Sequence, residues 1–308
     1  MHRSLRSCVG NGIYVYRETG TKYFPSWFAP FEEFCRCPLL TLRYLDFYRD
    51  QKVRTQRKIR RWLCPVDFHS ELERQESRIL SGTCEWLFGE EQFKQWLIRS
   101  GSTPSMDTFL VSGKPGCGKS VLAAATIRHL SRSGQTPVIY FLFRSTQENC
   151  CTSLSAVRGL LYQLLDVEAR VEESLLPLYQ SSGNENAVSF HLLWTVFTNV
   201  LGFIPQSFCV LDALDECDDA AILLQRFIDL QNRTPGLKLF VTTRPVQTFS
   251  SIIAAGGIEF QVEPAKVNPD IQKYIAHEVD ASPKLTKSGL KKDIIDRLSN
   301  GADGMFLW

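Results

Sequence analysis

Residues 108–120 read TFLVSGKPGCGKS: an apolar run, Thr108 to Gly113, flows into Gly113-Lys114-Pro115-Gly116-Cys117-Gly118-Lys119-Ser120 and on into VLAAATIRHLS, whose apolar spacing is helical. Strand, glycine-rich turn and helix in that order give the spacing G-x-x-x-x-G-K-[ST] the context in which it binds phosphate. The glycines let the backbone curl until successive N–H groups point inward at a β-phosphate, and the helix behind adds the partial positive charge of its N-terminus. Lys119 is then placed to bridge β- and γ-phosphate oxygens, and the Ser120 hydroxyl to ligate Mg2+. Residues Gly113 to Val121 are the candidate binding set for ATP or GTP, between which the sequence does not choose.

Working downstream, short apolar runs alternate with longer helical patterns. Strands are expected at 108–113, 137–143, 207–214, 237–243 and 258–263, and amphipathic helices at 119–131, 154–165, 190–201 and 220–231. That alternation marks βαβ units around a parallel sheet. The fold expected is an α/β P-loop NTPase: a three-layer αβα sandwich with a five-stranded, mainly parallel sheet, preceded by helices. Counted from Thr108, the expected strand order is 5-1-4-3-2.

A metal-binding carboxylate is expected where Phe208-Cys209-Val210-Leu211 ends in Asp212, because ligands of open α/β sheets sit at the carboxyl ends of the strands. Asp215 and Glu216 follow one short turn later, and Glu216 is the candidate to polarise an attacking water. Asp218 and Asp219 read as N-caps of the next helix. The run Lys238-Leu239-Phe240-Val241-Thr242-Thr243-Arg244-Pro245 is expected to end between the other two strands, where Arg244, or Thr243, can sense a γ-phosphate. The candidate catalytic set is Glu216, Asp215 and Arg244; the candidate metal ligands are Ser120 and Asp212.

Upstream, residues 69–99 look like two amphipathic helices broken at Ser81-Gly82-Thr83, with Thr83 and Glu85 to Trp86 opening the second, and 100–105 is a plain linker. Near the other end Asn268-Pro269-Asp270 is expected to cap a helix through IQKYIAHEV. A further helix is expected in KSGLKKDIIDRLSNGADG, and the apolar, uncapped terminus Met305 to Trp308 suggests truncation. The division expected is 1–66, basic and aromatic-rich; 67–104, a helical lead-in; 105–265, the nucleotide-binding core; and 266–308, a helical end segment.

The 308 residues carry a formal charge of only +2, which removes any global electrostatic argument for nucleic-acid binding. The charge is uneven, however, since residues 1–64 hold 13 basic and 5 acidic side chains. The run Gln51 to Arg61, QKVRTQRKIRR, is either a nuclear-import or anionic-surface patch or a solvated helix face. The aromatics between residues 11 and 48 show no clean period. No stretch approaches 18 apolar residues, and the start MHRSLRSCVGNGIY lacks the apolar segment of a signal peptide, so a cytoplasmic protein is expected. The ten cysteines are expected as reduced thiols, and neither Cys35-Arg-Cys37 nor Cys150-Cys151 has the spacing of a zinc knuckle.

GKPGCGKS, FCVLDALDEC and KLFVTTRP, with SGTCEWLF upstream and GADGMFLW downstream, resemble the NACHT class of signal-transduction NTPases over about residues 67 to 308, the fungal members and the nephrocystin-3-like N-terminal module above all. The resemblance implies a switch in which diphosphate holds a closed monomer and triphosphate favours an open oligomer. In fungi such a switch serves self/non-self recognition and cell death. It also implies the Walker A roles for Lys119 and Ser120, the Mg2+ role for Asp212, the acidic pair for Asp215 and Glu216, and the sensor role for Arg244. Ala213 departs from the glycine common in the family. The implied partners are a nucleoside triphosphate, further copies of the chain in the triphosphate state and an upstream effector. Two other classes stay open: a turnover enzyme, either an ATPase, for which Arg158 or Arg226 could serve as an arginine finger acting in trans, or a P-loop kinase; and a non-catalytic nucleotide-binding scaffold.

Overall fold

The computed structural model describes residues 6–9, 12–17, 20–25, 38–63, 67–98, 107–182, 188–254, 256–283 and 291–306, in two units, Met1–Lys58 and Ile59–Trp308. In the first, β1 (Arg6–Val9), β2 (Gly12–Arg17) and β3 (Gly20–Pro25) form an antiparallel meander in which Tyr14 lies opposite Tyr23. Part of the stretch without a clean period is therefore strand. Segments of four to six residues carry too few alternations for a period of two to stand out. Helix α1 (Pro38–Leu63) follows and contains the whole basic run. Lys52, Arg54, Arg57, Lys58 and Arg61 are exposed, whereas Arg60 bonds Asp166 and lies 4.9 Å over the Tyr162 ring.

The second unit takes in the end of α1 from Ile59 and continues with α2 (Phe68–Glu76), α3 (Glu85–Gly89) and α4 (Glu91–Leu97). There follow β4 (Thr108–Ser112), α5 (Lys119–Ser131), β5 (Val138–Leu142), α6 (Ser153–Leu164), α7 (Arg170–Ser182) and α8 (Phe190–Leu201). Then come β6 (Ser207–Asp212), α9 (Ala220–Gln231), β7 (Leu237–Thr243), α10 (Gln247–Ile253), β8 (Ile258–Gln261), α11 (Pro264–Ala281) and α12 (Lys291–Gly301). The sheet is parallel in the order β5-β6-β7-β4-β8, which is the expected 5-1-4-3-2 read from the other edge. The chain has the α/β P-loop fold.

Every residue of β4, β6 and β7 is buried, as strands covered by helices on both faces require. Alternate side chains part to the two faces. Phe109, Val111, Val210 and Phe240 pack with α2 to α5 and α11, while Leu110, Cys209, Leu211, Leu239 and Val241 pack with α6, α8, α9 and α10. Ala123, Ala124 and Ala125 are buried on α5, and their small side chains let the helix behind the glycine loop lie close to the sheet. Lys238, the one charged residue in these three strands besides Asp212, is neutralised at the other end of the sheet: its Nζ is 2.6 Å from Asp107 Oδ1 and donates to Ile98 O at 3.2 Å.

Four expectations need correction. Residues 69–99 hold three helices rather than two, because Glu90 is extended (ψ 136°) and separates α3 from α4. Thr83 does not open α3: its hydroxyl donates to Leu80 O, and the residue at the cap is Cys84, in the left-handed region at φ 64°. Asn268-Pro269-Asp270 lies inside α11, which begins at Pro264. Proline at the first helical position is favourable, and burial of the stripe Val267, Ile271, Ile275 and Val279 outweighs the hydrogen bond lost at Pro269. Asp219 sits at the N-cap of α9 yet makes no side-chain cap bond, its carboxylate accepting instead from the Ser153 N–H and hydroxyl. Helices α7 and α10 have no counterpart in the sequence reading: Pro177 interrupts the first and the second has only seven residues. The linker 100–105, residues 284–290 and the last two residues lie outside the described residues. Among the described residues no helix is long and apolar enough to cross a membrane, and no cluster of His, Cys, Asp and Glu is arranged to hold a metal ion by itself. Among the described residues Cys84, Cys117, Cys150, Cys209 and Cys217 are free thiols.

Candidate nucleotide-binding site

The order β6-β7-β4 brings the carboxyl ends of three strands side by side, so that Asp212, Thr243 with Arg244, and Gly113 open onto one rim. The Gly113 N–H donates to Thr243 O across that rim at 3.2 Å. Residues Gly113 to Gly118 form the loop and Lys119, Ser120 and Val121 the first turn of α5. Gly116 and Gly118 have φ of 77° and 88°, a region in which other residues are strained, and a Cβ on Gly118 would sit 3.1 Å from the Phe306 ring. Lys119 folds back over the loop, its Nζ donating to the carbonyls of Gly113 at 2.7 Å and Lys114 at 2.8 Å. An anion entering the loop therefore meets the ammonium at its mouth. Burial raises the pKa of the Cys117 thiol between them, keeping it protonated, although the Lys119 charge opposes the shift.

The sequence-distant pair Ser120 and Asp212 meets: the Ser120 hydroxyl lies near enough to the Asp212 carboxylate to favour its ionised form. Asp212 is 3% exposed, and burial lifts its pKa to about 6, with the charge of Glu216 adding to the rise. The hydrogen bond from Thr242, the nearby Ser120 hydroxyl and the charge of Lys119 pull the other way. Thr242 donates to Asp212 Oδ1 at 2.5 Å and accepts the Ala213 N–H at 2.9 Å, which fixes the carboxylate's orientation. A buried, oriented carboxylate beside a hydroxyl offers oxygen donors suited to a hard dication, and the Lys119 ammonium next to them suits an anionic ligand.

Ala213, directly after that carboxylate, has φ 53° and ψ 47°. The left-handed conformation costs a residue with a Cβ about 1 kcal/mol relative to glycine. Ala213→Gly is accordingly expected to stabilise the nucleotide-free protein by about 0.5–1 kcal/mol, less the backbone entropy glycine brings to the unfolded chain. A fall in denaturation midpoint would contradict the strain.

Past Ala213 a 3-10 turn, Leu214–Glu216, presents the two acids, and Arg244 is clamped to both. Its backbone N–H donates to Asp215 Oδ1 at 2.9 Å, its Nε is 3.2 Å from Asp215 Oδ2, and its Nη2 is 3.8 Å from Glu216 Oε1. The other oxygen of Glu216 accepts from the Ser145 N–H at 2.8 Å and hydroxyl at 3.1 Å. Arg158 and Arg226 are not brought to this site. The first is buried on α6, the second lies 5.0 Å over the Phe190 ring, and neither lines the cavity.

That cavity, of about 500 Å³, runs from the loop over Ala213, Asp215, Glu216 and Arg244 to a wall that the sequence reading did not assign to the site. Thr83, Cys84 and Trp86 supply one part of the wall, and Asp270, Tyr274 and Phe306 the other. Asp270 Oδ2 fastens the two together, accepting the Cys84 N–H at 2.7 Å and the Trp86 indole N–H at 3.1 Å. With that charge beside it and burial as the larger cause, the Cys84 thiol is pushed up to about 12. The Phe306 N–H donates to Gly116 O at 2.8 Å, its ring meets Tyr274 edge-on at 5.8 Å, and Asp303 pairs with Lys114 at 3.3 Å. One local signal was available: Asp270 falls on the buried stripe of an amphipathic helix, a place for an apolar residue unless a ligand or a cap needs the charge.

The model of the nephrocystin 3 N-terminal family matches residues 82–244, from the wall of the cavity to Arg244. The chain belongs to that family. This nephrocystin 3 N-terminal module is 22% identical over 250 residues to the vegetative incompatibility protein HET-E-1 of Podospora anserina, a match covering 77% of this chain and 18% of that protein. The chain thus spans under a fifth of the length of that relative. Among solved structures it is similar to a Walker-type ATPase of Pyrococcus abyssi, with 15% identity, 65% of this chain and 59% of that chain covered and a TM-score of 0.41. It is also similar to the AMPPCP-bound DnaA from Aquifex aeolicus, with 14% identity, 73% and 62% covered and a TM-score of 0.38.

Proposed function

We propose that this module is a Mg2+-dependent, nucleoside-triphosphate-binding switch of the NACHT type with slow hydrolysis. The observation that carries the proposal is the meeting of the two sequence-distant segments at the sheet's rim, where the Ser120 hydroxyl and the Lys119 ammonium both lie near enough to the buried Asp212 carboxylate to favour its ionised form. In this reading residues Gly113 to Val121 cradle the phosphates and Ser120 and Asp212 hold Mg2+. When bound, the ion neutralises charge on the β- and γ-oxygens. Glu216 orients the attacking water, Asp215 completes the acidic pair, and Arg244 is the γ-phosphate sensor.

The clamp on Arg244 supports a switch over a turnover enzyme. A γ-phosphate competes with Asp215 and Glu216 for the guanidinium, so its arrival and loss exchange one set of ion pairs for another. Moving a two-state protein from mostly off to mostly on takes about 5.5 kcal/mol of differential affinity, which Lys119 and Arg244 have to supply. The likeness to a vegetative incompatibility protein supports a role in fungal self/non-self recognition or cell death, with oligomerisation in the triphosphate state and a separate effector as partners. We extend the reading to a division at 1–66, 67–104, 105–265 and 266–308, and to a cytoplasmic protein whose basic run 51–61 permits nuclear entry.

The test is Glu216→Gln. Single-turnover hydrolysis of bound triphosphate should slow by about 100-fold with affinity unchanged, as for loss of a general base. Unchanged hydrolysis would remove Glu216 from the mechanism, and rapid steady-state turnover by the parent protein would favour an ATPase over a switch.

A further inference from the structure

The segment that leaves α12, Ala302 to Phe306, passes over the phosphate loop and is tied to it. Ala302 is fully buried in the core, and the Met305 N–H closes a turn on Ala302 O at 2.8 Å. Asp303 and Gly304 take that turn with φ of 40° and 77°, and a Cβ on Gly304 would stand 3.0 Å from the Cα and Cβ of Pro264 at the start of α11. Glycine alone fits there. The Phe306 N–H then donates to Gly116 O at 2.8 Å, while the Phe306 ring lies against Gly118 and Tyr274. The pair Asp303–Lys114 joins two exposed side chains and adds little.

What the bond from Phe306 fixes is the direction of a phosphate-binding group. Gly116, at φ 77°, has no Cβ to hold the peptide that follows it in one orientation, and glycine populates positive and negative φ alike. Because that peptide is planar and trans, the Cys117 N–H points opposite to Gly116 O. With Gly116 O held by Phe306, the Cys117 N–H is turned away from the segment and toward Lys114 O at 3.4 Å, the oxygen on which the Lys119 ammonium also rests at 2.8 Å. The first contact is too long for a full hydrogen bond, so a ligand oxygen takes that N–H without breaking one. Two donors thus converge on one acceptor, and a phosphate oxygen beside it meets both.

We propose that Ala302–Phe306 is a strap that completes the phosphate loop: the Phe306 backbone N–H positions the Gly116–Cys117 peptide, so polyphosphate binding and strap docking favour each other. The assignment rests on the nucleotide-binding reading above and adds to it a means of reporting occupancy. The strap continues α12, whose Ile294, Ile295 and Leu298 pack on the core, so the state of the loop is passed to that helix. Linkage makes the effect reciprocal: the factor by which the docked strap tightens polyphosphate is the factor by which polyphosphate tightens the strap.

Inorganic tripolyphosphate with Mg2+ is the probe, because it fills the phosphate loop and brings no base or ribose to touch the Phe306 ring. When it binds the full chain, hydrogen–deuterium exchange over 302–306 should slow by about tenfold, within the range typical of coupled sites. Gly304→Ala, whose added Cβ meets Pro264, should free the strap. Exchange over 302–306 should then rise, and calorimetric affinity for tripolyphosphate should fall by the same factor of about ten. A strap that served packing alone would exchange faster in the variant without moving the affinity. Exchange over 302–306 that tripolyphosphate leaves unchanged or speeds up in the parent, or an opened strap in Gly304→Ala with the parent's affinity, would overturn the proposal. Should Gly304→Ala fail to fold, the parent's exchange decides by itself. A parent without measurable affinity for tripolyphosphate would strike the phosphate site and the strap with it, whereas binding to which 302–306 is indifferent strikes the strap alone.

Discussion

Lys119→Ala should lower affinity for a nucleoside triphosphate by at least about 100-fold, corresponding to the 1.5–3 kcal/mol of a hydrogen bond to a charged group plus the coulombic attraction of an ammonium in a half-buried loop. The fold should survive the change, because Lys119 makes its two short hydrogen bonds to carbonyls of its own loop, Gly113 and Lys114, and not to another element. The loss should be larger for triphosphate than for diphosphate, since the ammonium reaches beyond the β-phosphate. Titration calorimetry with both nucleotides checks it. An equal loss for the two would limit Lys119 to the β-phosphate and remove it from the switch.

Asp212→Asn should have two effects of opposite benefit. Burial raises the folded-state pKa of Asp212 to about 6 against an ordinary value near 3.8, so the folded protein holds a proton there that the unfolded chain releases. A carboxyl group shifted upward contributes stability that is complete below about pH 4 and is lost as the pH rises through about 6. At neutral pH the nucleotide-free protein therefore carries a strained carboxylate costing on the order of 3 kcal/mol. Asparagine has no charge to desolvate and keeps an oxygen for Thr242, so the variant should melt several degrees higher than the parent at pH 7, with the difference shrinking toward pH 4. The same change should abolish the Mg2+-dependent part of nucleotide affinity. Chemical denaturation across that pH range together with Mg2+ titrations measures both, and a variant less stable than the parent at pH 7 would show that Asp212 serves the fold.

These expectations start from features that were legible in local patterning. The strands β4, β6 and β7 are runs of five to seven residues buried on both faces, and no amphipathic alternative competes for them. The glycine loop is fixed by its own spelling, and an acid ending an apolar strand marks Asp212. Once the strand order is right, Ser120, Asp212 and Arg244 have nowhere to go but one rim. The far wall of the cavity was hidden because it is made by contacts without a local period. Cys84 and Asp270 meet across most of the second unit, and Phe306 reaches Gly116 through a backbone hydrogen bond to which its side chain gives no clue. The pair Asn268-Pro269 pointed the wrong way for a related reason: local preference favours a helix start there, and the tertiary burial of Val267 and Ile271 carries the helix through it. The clamp of Arg244 on Asp215 and Glu216 shows the same limit, since its residues were identified and their mutual pairing was not.

A single triphosphate site assembled from the two halves of the sheet's rim underlies the proposed switch. Its most direct measure is the affinity of the full chain for GTP and for ATP with Mg2+ and again with excess EDTA. Binding that is strong with the metal and falls by at least about tenfold without it, for the parent but not for Asp212→Asn, is the result expected. Affinity indifferent to Mg2+ in the parent, or equally metal-dependent in Asp212→Asn, would contradict it.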